Sequence, residues 1–380
     1  MDINQLRTEI DGVDRQLIEL FRQRMDISDQ IAAYKQSVGK AIHDPERERK
    51  KLVEVANMVS PELRTSAVML FSTLFELSST QQMKAMDNTT SLADQITAAI
   101  ENTPKQFPQY PIVACQGVEG AYSQIACEKL FRTPNIMYFQ NFEGVFSAIE
   151  NGLCEYGILP IENSTAGSVN RIYDLMAQHN CYVARSVRLK IDHSLLTKKG
   201  VKKEQIREIF SHEQAISQCA EFLKTMPNVT VTVVENTAVA AKMVAESSRD
   251  DVAALSSHSC ASLYGLECLA PSVQDKGNNY TRFICISKNL EIYPGADRTS
   301  IMCVVPHRPG SLYKVLSRFF ALGINLQKLE SRPIPDRDFE YMMYFDFDTP
   351  LYSREFVQVI SELETMCEDF RYFGSYSEIV

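Results

Sequence analysis

The amino-terminal part of the chain has apolar positions at steps of three and four residues, the spacing of one face of an α-helix. The apolar face of the first such segment consists of Ile3, Leu6, Ile10, Val13, Leu17, Leu20, Ile27, Ile31 and Tyr34. Two cations interrupt this face, because Arg24 lies between Leu20 and Ile27 and Lys35 follows Tyr34. The pattern predicts one helix to about Val38, roughly 50 Å long. A helix of that length favours a partner along all of it, and hence an intertwined dimer.

Two further helices are predicted before residue 87. The segment "HDPERERKKLVEVA" begins the second, with Asp44 as its N-cap and Pro45 in its first turn. The third begins at Ser60-Pro61 and continues to about Met86. Its apolar face consists of Ala67, Phe71 and Leu74 and is continued by the hydrogen-bonding side chains of Ser78 and Gln82.

Polar side chains on apolar helix faces need a reason, since a buried cation without a counter-anion costs several kcal/mol. Arg24 and Lys35 are eleven residues apart and therefore share one face of the helix. Taken singly, each could lay its stem over the face and keep its charge in water. Together with Ser78 and Gln82 on another helix, they predict a dry pocket between helices that binds a small anion with several oxygens.

Residues 112 to about 288 alternate strand and helix patterns, which predicts an α/β region with a largely parallel sheet in two lobes around a cleft. The strand candidates are "PIVAC", "YGILPI", "HSLLT", "REIFS", "VTVTVV", "DVAALS" and "TRFICIS". A polar, proline-containing connector, with a short helix near residues 91–101, is predicted to precede this region. Residues 298–380 show the β-α-β-β-α-β order of a ferredoxin-like module.

Four segments of the α/β region join strand ends to helix starts, where open sheets bind ligands: "CQGVEGAYS", "PIENSTAGSVNRIYDLM", "FSHEQAISQC" and "NYTRFICIS". Each also has a purely structural interpretation, with Gly117 and Gly120 as turn residues and Ser164 and Thr165 as helix caps. The region contains no G-x-G-x-x-G and no phosphate-loop lysine motif, which disfavours a nicotinamide-linked dehydrogenase.

Composition narrows the function classes further. Asp and Glu number 48 against 39 Lys and Arg, for a net charge of −9, which argues against broad nucleic-acid or membrane-surface binding. The 10 Cys residues are scattered without a C-x-x-C pair, and the six His residues show no metal-binding spacing. The sequence therefore predicts reduced thiols, no metal site, and a cytoplasmic chain without a signal or membrane-spanning segment.

The helical part resembles the all-helical chorismate mutases, which rearrange chorismate to prephenate. The resemblance is carried, in order and spacing, by Arg7, Arg24, Lys35, Asp44, Arg47, Glu48, Ser78 and Gln82. It implies that Arg24 and an Arg7 from a partner subunit hold the two carboxylates, and that Lys35 and Gln82 donate to the ether oxygen. Glu48 would hold the hydroxyl, with Arg47, Ser78 and Asp44 supporting substrate binding.

The α/β region resembles prephenate dehydratases, which convert prephenate to phenylpyruvate. The family motifs stand at Pro160–Asn163, Ser211–Gln214, Leu263–Leu266 and Thr281–Phe283, although Val118 and Glu213 replace prolines common in the family. The resemblance implies Thr281 as the proton donor, with Glu162 as an alternative donor. It further implies substrate-binding roles for Glu162, Asn163, Thr165, Ser211, Gln218, Glu235 and Arg282.

The carboxyl-terminal region resembles the ACT domains that bind phenylalanine. The implied ligand residues are Pro309, Gly310, Ser311, Leu312, Glu330, Ser331 and Arg332. Without the two enzyme regions, a plain dimerisation module would be the better interpretation. Attached to them, the module is expected to mediate feedback inhibition by L-phenylalanine.

The whole chain thus resembles bifunctional chorismate mutase–prephenate dehydratases. The expected domains are an all-α mutase domain (1–88), a linker (89–111), an α/β two-lobed dehydratase domain (112–290) and an α+β ferredoxin-like ACT domain (298–380). The expected ligands are chorismate, prephenate and L-phenylalanine, without a cofactor, in a homodimer or higher homo-oligomer. The alternative is an amino-acid-responsive binding protein whose helical part serves only dimerisation.

Overall fold

The structure is a computed structural model. It describes residues 2–40, 44–85, 91–321, 323–335, 337–349 and 354–380. The predicted end of the third helix at Met86 and part of the predicted linker lie outside the described residues. The chain divides into two compact units between residues 91 and 92. None of the helices in the described part of the chain is both long and apolar enough to serve as a membrane span.

The first unit consists of helices α1 (Ile3–Val38), α2 (Pro45–Asn57) and α3 (Arg64–Ala85), with a 3-10 turn at Pro61–Leu63. The predicted end of α1 is confirmed, because Gly39 closes the helix with a φ of 65°. The predicted N-cap of α2 is confirmed as well, since Asp44 Oδ1 accepts a hydrogen bond from the Arg47 backbone at 3.1 Å. Both helix ends are determined by residues close to them in the chain, so they can be predicted from the sequence.

Most of the apolar face of α1 lies uncovered within its own chain. Ile3, Ile10, Val13, Leu17 and Leu20 each expose more than half of their surface. The buried residues of α1 are Ser28 and Ala32, in the carboxyl-terminal half of the helix. Contacts between α1 and α3 therefore cover only part of the predicted face.

The second unit contains the remaining elements. In chain order they are α4 (Ser91–Asn102), β1 (Ile112–Gln116), α5 (Tyr122–Leu130), β2 (Asn135–Phe139), α6 (Phe142–Glu150), β3 (Tyr156–Asn163), β4 (Gly167–Ser168), α7 (Asn170–Gln178), β5 (Tyr182–Lys190), β6 (Ser194–Thr197), β7 (Glu208–Ser211), α8 (Glu213–Gln218), α9 (Ala220–Lys224), β8 (Thr230–Val233), α10 (Thr237–Glu246), β9 (Val252–Ser256), α11 (Ser259–Tyr264), β10 (Glu267–Ala270), β11 (Tyr280–Ser287), β12 (Arg298–Val304), α12 (Ser311–Ala321), β13 (Leu326–Pro333), β14 (Tyr341–Asp348), α13 (Arg354–Met366), β15 (Asp369–Tyr376) and β16 (Glu378–Ile379).

Two mixed sheets form the α/β region. The first has the strand order β16-β5-β11-β3-β1-β2, with β4 paired to β3, and the second has the order β10-β6-β9-β7-β8. The chain passes from the first sheet to the second through residues 191–193 and returns through residues 271–279. The returning strand β11 runs antiparallel to both β3 and β5, so the prediction of a largely parallel sheet was wrong.

The carboxyl-terminal region has the predicted β-α-β-β-α-β order, with an antiparallel sheet in the order β13-β14-β12-β15. Helices α12 and α13 cover one face, where Phe319 packs on Phe345 and Phe347. The other face packs on the first sheet and on α7, where Tyr344 and Met302 share a core with Ile161 and Ile284, and Tyr344 lies against Tyr173 of α7. Helix α4, which the sequence placed in a linker, buries Ile96 in the helix-side core of this module.

The last strand, β16, joins the end of the chain to the first sheet. It pairs in parallel with β5, and its residue Glu378 is buried. The Glu378 carboxylate forms ion pairs with Arg298 at 2.7 Å, with Arg282 at 3.3 Å and with Arg188. One carboxylate thereby neutralises cations of the first sheet and of the carboxyl-terminal module.

We expect Glu378→Ala to destabilise the second unit by about 3–5 kcal/mol, because it removes the carboxylate that pairs with the largely buried guanidinium of Arg298. The measurement is the urea concentration at which the full chain loses dehydratase activity. Glu340→Gln is the matched control, since its partner Arg337 is half exposed, and it should cost less than about 1 kcal/mol. Equal effects of the two substitutions would contradict the importance of the buried cluster.

Candidate active sites

Arg24 on α1 meets α3 in the first unit. Its Nη1 donates to the Leu74 carbonyl at 2.8 Å and to Ser78 Oγ, and its guanidinium lies 5.6 Å from the centre of the Phe75 ring. Burial lowers the pKa of Arg24 from its ordinary value. A half-buried guanidinium held by neutral acceptors retains its full positive charge for an anionic ligand.

A second contact between α1 and α3 joins Lys35 to Gln82, because Lys35 Nζ donates a hydrogen bond to Gln82 Oε1 at 3.2 Å. Burial lowers the pKa of Lys35, against the nearby carboxylates of Asp44 and Glu48, which raise it, while Arg47 lowers it further. The start of α2 is therefore close to Lys35. Because the Gln82 oxygen accepts from Lys35, its amide NH2 remains the donor side of the side chain.

The structure brings seven of the eight predicted residues of this unit to one region. Arg24 contacts Ser78, Lys35 contacts Gln82, and the charges of Asp44, Glu48 and Arg47 shift the pKa of Lys35. Arg7 does not join them. It is exposed, and its position lies about 26 Å along α1 from Arg24 at 1.5 Å per residue. Within one chain, Arg7 cannot contribute to the pocket that contains Arg24.

In the second unit, Asn163 at the end of β3 has a fixed amide orientation. Its Oδ1 accepts from the backbone N–H groups of Thr165 at 3.0 Å and Ala166 at 2.9 Å, and from Thr165 Oγ1 at 2.7 Å. A backbone N–H can only donate, so this atom must be the oxygen. The Asn163 NH2 group then donates to Thr281 Oγ1 at 2.9 Å and to Asn279 Oδ1 at 2.8 Å.

These bonds belong to a closed ring of four hydrogen bonds that all run in one direction, which we call the amide ring. Asn163 donates to Asn279, and Asn279 Nδ2 donates to Gln218 Oε1 at 2.8 Å. Gln218 Nε2 donates to Thr165 Oγ1 at 2.8 Å, and Thr165 donates back to Asn163. His193 Nε2 lies 3.2 Å from Gln218 Oε1 and must therefore carry the ring proton.

The amide ring joins the two sheets of the α/β region. Asn163 and Thr281 are register partners in β3 and β11 of the first sheet, whereas Gln218 ends α8, which packs on the second. Asn279 and His193 lie in the two segments that cross between the sheets. Asn163 and Asn279 of the ring and the adjoining Thr281 are buried, whereas Gln218 is half-buried and Thr165 lies at the exposed rim of the ring.

Sequence reasoning missed Asn279 and His193. A signal for Asn279 was present, because it precedes Thr281 by two residues and so shares its face in an extended strand. His193 carried no such signal, since it begins the segment "HSLLT", which was interpreted only as a strand. Two other predicted residues stand apart from the ring: Ser211 is buried and donates to the Leu255 carbonyl at 2.8 Å, and Glu235 is exposed before α10.

Glu162 and Arg282, which were predicted to bind the dehydratase substrate, lie on the opposite face of the first sheet from the amide ring. Adjacent residues of a strand point to opposite faces, so Glu162 cannot share a face with Asn163. Glu162 pairs with Arg282 at 3.3 Å and with Lys328 of β13 at 3.2 Å. This geometry does not support Glu162 as the alternative proton donor, and that role stays a prediction.

Two family profiles match the chain. The profile described as chorismate mutase type II matches residues 6–83, and the profile described as prephenate dehydratase matches residues 113–291. Arogenate dehydratase/prephenate dehydratase 2 of Arabidopsis thaliana is 36% identical over 296 residues, which are 75% of this chain and 76% of that protein. The bifunctional chorismate mutase/prephenate dehydratase of Aquifex aeolicus (strain VF5) is 28% identical over 99% of this chain and 98% of its own length.

The chain belongs to the family of bifunctional chorismate mutase–prephenate dehydratases. Chorismate and prephenate are therefore the substrates of its mutase region and its dehydratase region.

Two solved structures resemble this chain over 70% of its length. The prephenate dehydratase of Arthrobacter aurescens in complex with L-Phe is 26% identical, has a TM-score of 0.64, and covers 70% of this chain and 89% of its own. GqqA, described as a novel type of quorum quenching acylase, is 29% identical, with a TM-score of 0.63 over 70% of this chain and 97% of its own.

The predicted phenylalanine-binding residues of this bifunctional enzyme do not share one face. Gly310 precedes α12 with a φ of +86°, a conformation that favours glycine. On β13, Ser331 is on the face that bears the helices. Glu330 and Arg332 are on the other face, where Glu330 accepts from Ser168 at 2.8 Å and Arg332 pairs with Asp174 at 3.0 Å. Within one chain, Glu330 and Arg332 are therefore engaged by the first sheet and α7, and the assignment of these residues to a phenylalanine site stays a prediction.

We expect His193 of the dehydratase region to be neutral at pH 7, with its proton on Nε2, because burial lowers its pKa and the Gln218 oxygen can only accept. Long-range proton–nitrogen correlation spectra of histidine-labelled enzyme would show this tautomer, with the signal assigned by its loss in His193→Gln. An imidazolium, or a proton on Nδ1, would contradict the direction of the amide ring.

The same burial makes the stability of the fold depend on pH. Because the pKa of His193 in the folded chain lies below the ordinary 6.5, the free energy of unfolding contributed by His193 should be fully present above that pH and decrease as pH falls.

Proposed function

We propose that the two activities use the two sites described above, the helical pocket for the rearrangement of chorismate and the amide ring for the breakdown of prephenate. The observation that carries the proposal is the same in both: a protein donor occupies the oxygen of a side-chain amide and so fixes which way the amide is turned. In the helical pocket this directs the Gln82 NH2 group to the substrate, and in the amide ring it directs the Asn163 NH2 group to Thr281, whose hydroxyl hydrogen is left for the substrate. The ten cysteines are free thiols, which supports a reducing compartment such as the cytoplasm.

The mutase reaction is a pericyclic rearrangement without proton transfer, so the enzyme can accelerate it only by fixing the reactive conformer and by stabilising charge. We infer that Arg24 binds a substrate carboxylate and that Lys35 and the Gln82 NH2 group face the ether oxygen. That oxygen gains negative charge as its C–O bond breaks. Glu48 would accept from the substrate hydroxyl, and Arg47, Ser78 and Asp44 would support binding.

We propose that Arg7 of the partner subunit completes the pocket in a homodimer. The exposed apolar face of α1 supports this, because Ile3, Leu6, Ile10, Val13, Leu17 and Leu20 form a continuous stripe. A second α1 laid along the stripe would cover it and carry its own Arg7 along the length of the first helix. The distance between Arg7 and Arg24 in one chain makes a contribution from the partner the consistent arrangement.

For the dehydratase reaction, we infer that Thr281 donates its hydroxyl hydrogen to the leaving oxygen of prephenate. Asn163 donates to Thr281 Oγ1, so the hydroxyl hydrogen points away from the ring. As the carboxylate leaves as carbon dioxide, its bonding electrons enter the six-membered ring and expel hydroxide, which takes up one proton and departs as water. Threonine is a weak acid, so its role is to stabilise and protonate the leaving group while solvent supplies the net proton.

Feedback inhibition by L-phenylalanine is proposed for the carboxyl-terminal module. It is supported by the likeness of 70% of this chain to a dehydratase solved with L-Phe, by Gly310 in a glycine conformation before α12, and by Ser331 on the helix side of β13. A route to the dehydratase site exists, since Arg282, next to Thr281, pairs with Asp346 of β14 at 2.9 Å. L-Phenylalanine would inhibit by binding one state of this connection more tightly than the other.

The test of the whole proposal is to supply chorismate and to follow prephenate and phenylpyruvate over time, with and without L-phenylalanine. We expect both products in sequence, with L-phenylalanine lowering the second. Thr281→Val should let prephenate accumulate, with dehydratase turnover reduced by about 10²–10⁴-fold and mutase turnover unchanged. Normal phenylpyruvate formation by Thr281→Val would overturn the assignment of Thr281, and absence of both products would favour a binding protein.

We expect Gln82→Glu to make mutase activity depend on acid. At neutral pH the new carboxylate would accept from Lys35 and face the ether oxygen without a proton, whereas protonation would restore the donor. Activity should therefore rise as pH falls through the pKa of that carboxyl. The control is Gln36→Glu, the same change on an exposed position of α1. A pH profile like that of the unaltered enzyme would refute the role of Gln82.

A further inference from the structure

We propose that Asn279 is a positioning residue of the dehydratase: it sets the direction of the amide ring and thereby keeps the Thr281 hydroxyl hydrogen directed at the substrate. Asn279 was not among the residues that the sequence predicted. The proposal rests on the role of Thr281 given above and deepens it.

Asn279 is suited to this role because an amide offers a donor and an acceptor side by side. Its Oδ1 accepts from Asn163 at 2.8 Å, and its Nδ2 donates to Gln218 at 2.8 Å. The residue is 1% exposed, and its backbone oxygen accepts from Ile191 at 2.8 Å. That backbone bond ties the two segments that cross between the sheets, so the position of the Asn279 side chain is fixed by both.

The donor side of Asn279 determines how Gln218 is turned. Gln218 Oε1 accepts from Asn279 Nδ2 and also lies 3.2 Å from His193 Nε2. If Gln218 turned over, its NH2 group would meet the His193 N–H and its oxygen would face Thr165. The Thr165 hydroxyl would then donate to Gln218 instead of Asn163. Asn163 would lose a donor bond of 2.7 Å that helps to hold its NH2 group on Thr281.

Replacing the amide by a carboxyl separates this role from packing, because Asn279→Asp changes almost no volume. Below the pKa of the new carboxyl, its O–H can donate to Gln218 and its carbonyl can accept from Asn163, so the ring is restored. Above that pKa, a carboxylate would face the Gln218 oxygen and drive the amide to turn. We expect dehydratase kcat to fall about 100-fold at neutral pH, with KM changing less, and to recover as pH is lowered.

The reference for this profile is the unaltered enzyme, because other titratable groups surround the ring. His193 contacts Gln218, His212 caps α8, Asp192 adjoins His193, and the Asp275 backbone donates to the Gln218 carbonyl. These groups are present in both proteins, so the ratio of the two profiles isolates the new carboxyl. Asn278→Asp is the matched control, since it makes the same change on the exposed neighbouring side chain and should leave the profile unchanged.

The outcomes separate this inference from the assignment of Thr281. Acid recovery in Asn279→Asp but not in Asn279→Ala supports the ring direction, provided both variants unfold at the temperature of the unaltered enzyme. A ratio independent of pH, or an equal effect of Asn278→Asp, overturns it even if Thr281→Val is inactive. If Asn279→Asp does not fold, Asn279→Ser, which keeps one donor and acceptor, must retain at least tenfold more activity than Asn279→Ala, or the inference fails.

Discussion

The dehydratase region depends on the alternation of side chains in two paired strands. Asn163 and Thr281 are register partners, and so are their neighbours Glu162 and Arg282. Because successive residues of a strand point to opposite faces, the first pair lies on the side of the amide ring, where Asn163 is a member and Thr281 accepts from it, and the second pair faces the carboxyl-terminal module. A single sheet thus carries the candidate catalytic groups on one side and the contacts of the candidate regulatory module on the other, one peptide unit apart.

The face of the first sheet opposite the amide ring, which we call the ionic face, contains as many cations as carboxylates. Charges removed from water need partners of opposite sign, so this balance is required. The cations are Arg188, Arg282, Arg298 and Lys328, and the carboxylates are Glu162, Glu330, Asp346 and Glu378. Although burial lowers the pKa of Arg282, the carboxylates of Asp346, Glu162 and Glu378 outweigh it and raise that pKa. Such a cluster contributes little net stability over an apolar packing, but it penalises any arrangement that leaves a charge unpaired. This makes the relative position of the module and the strand β11 specific, a property that a regulatory contact requires.

The parts of this molecule that were predictable from sequence are those that neighbouring residues determine. The length of α1, the cap at Asp44 and the facing of Arg24 to Ser78 all follow from helical periodicity, and the structure contains each of them. The face on which Glu162 lies was not predictable, because it depends on the register of β11 against β3, and that register shifts after Arg282. The amide ring was hidden for a related reason, since it assembles residues from β3, α8 and two crossing segments that approach only in the folded chain.

The two proposed sites would meet the same chemical requirement in the same way. In both reactions a C–O bond breaks and the departing oxygen gains negative charge, so the site must present donors to that oxygen and must not present acceptors. A side-chain amide or hydroxyl can turn either way, and only its protein partners decide which side it shows. In the helical pocket Lys35 occupies the Gln82 oxygen, and in the cleft the backbone N–H groups after Asn163 occupy its oxygen. The orientation is prepared before the substrate arrives, which avoids reorganisation during the reaction. A chain that performs two successive C–O cleavages without a nucleophile therefore needs buried acceptors saturated by its own donors, and that requirement accounts for the polar side chains on its apolar faces.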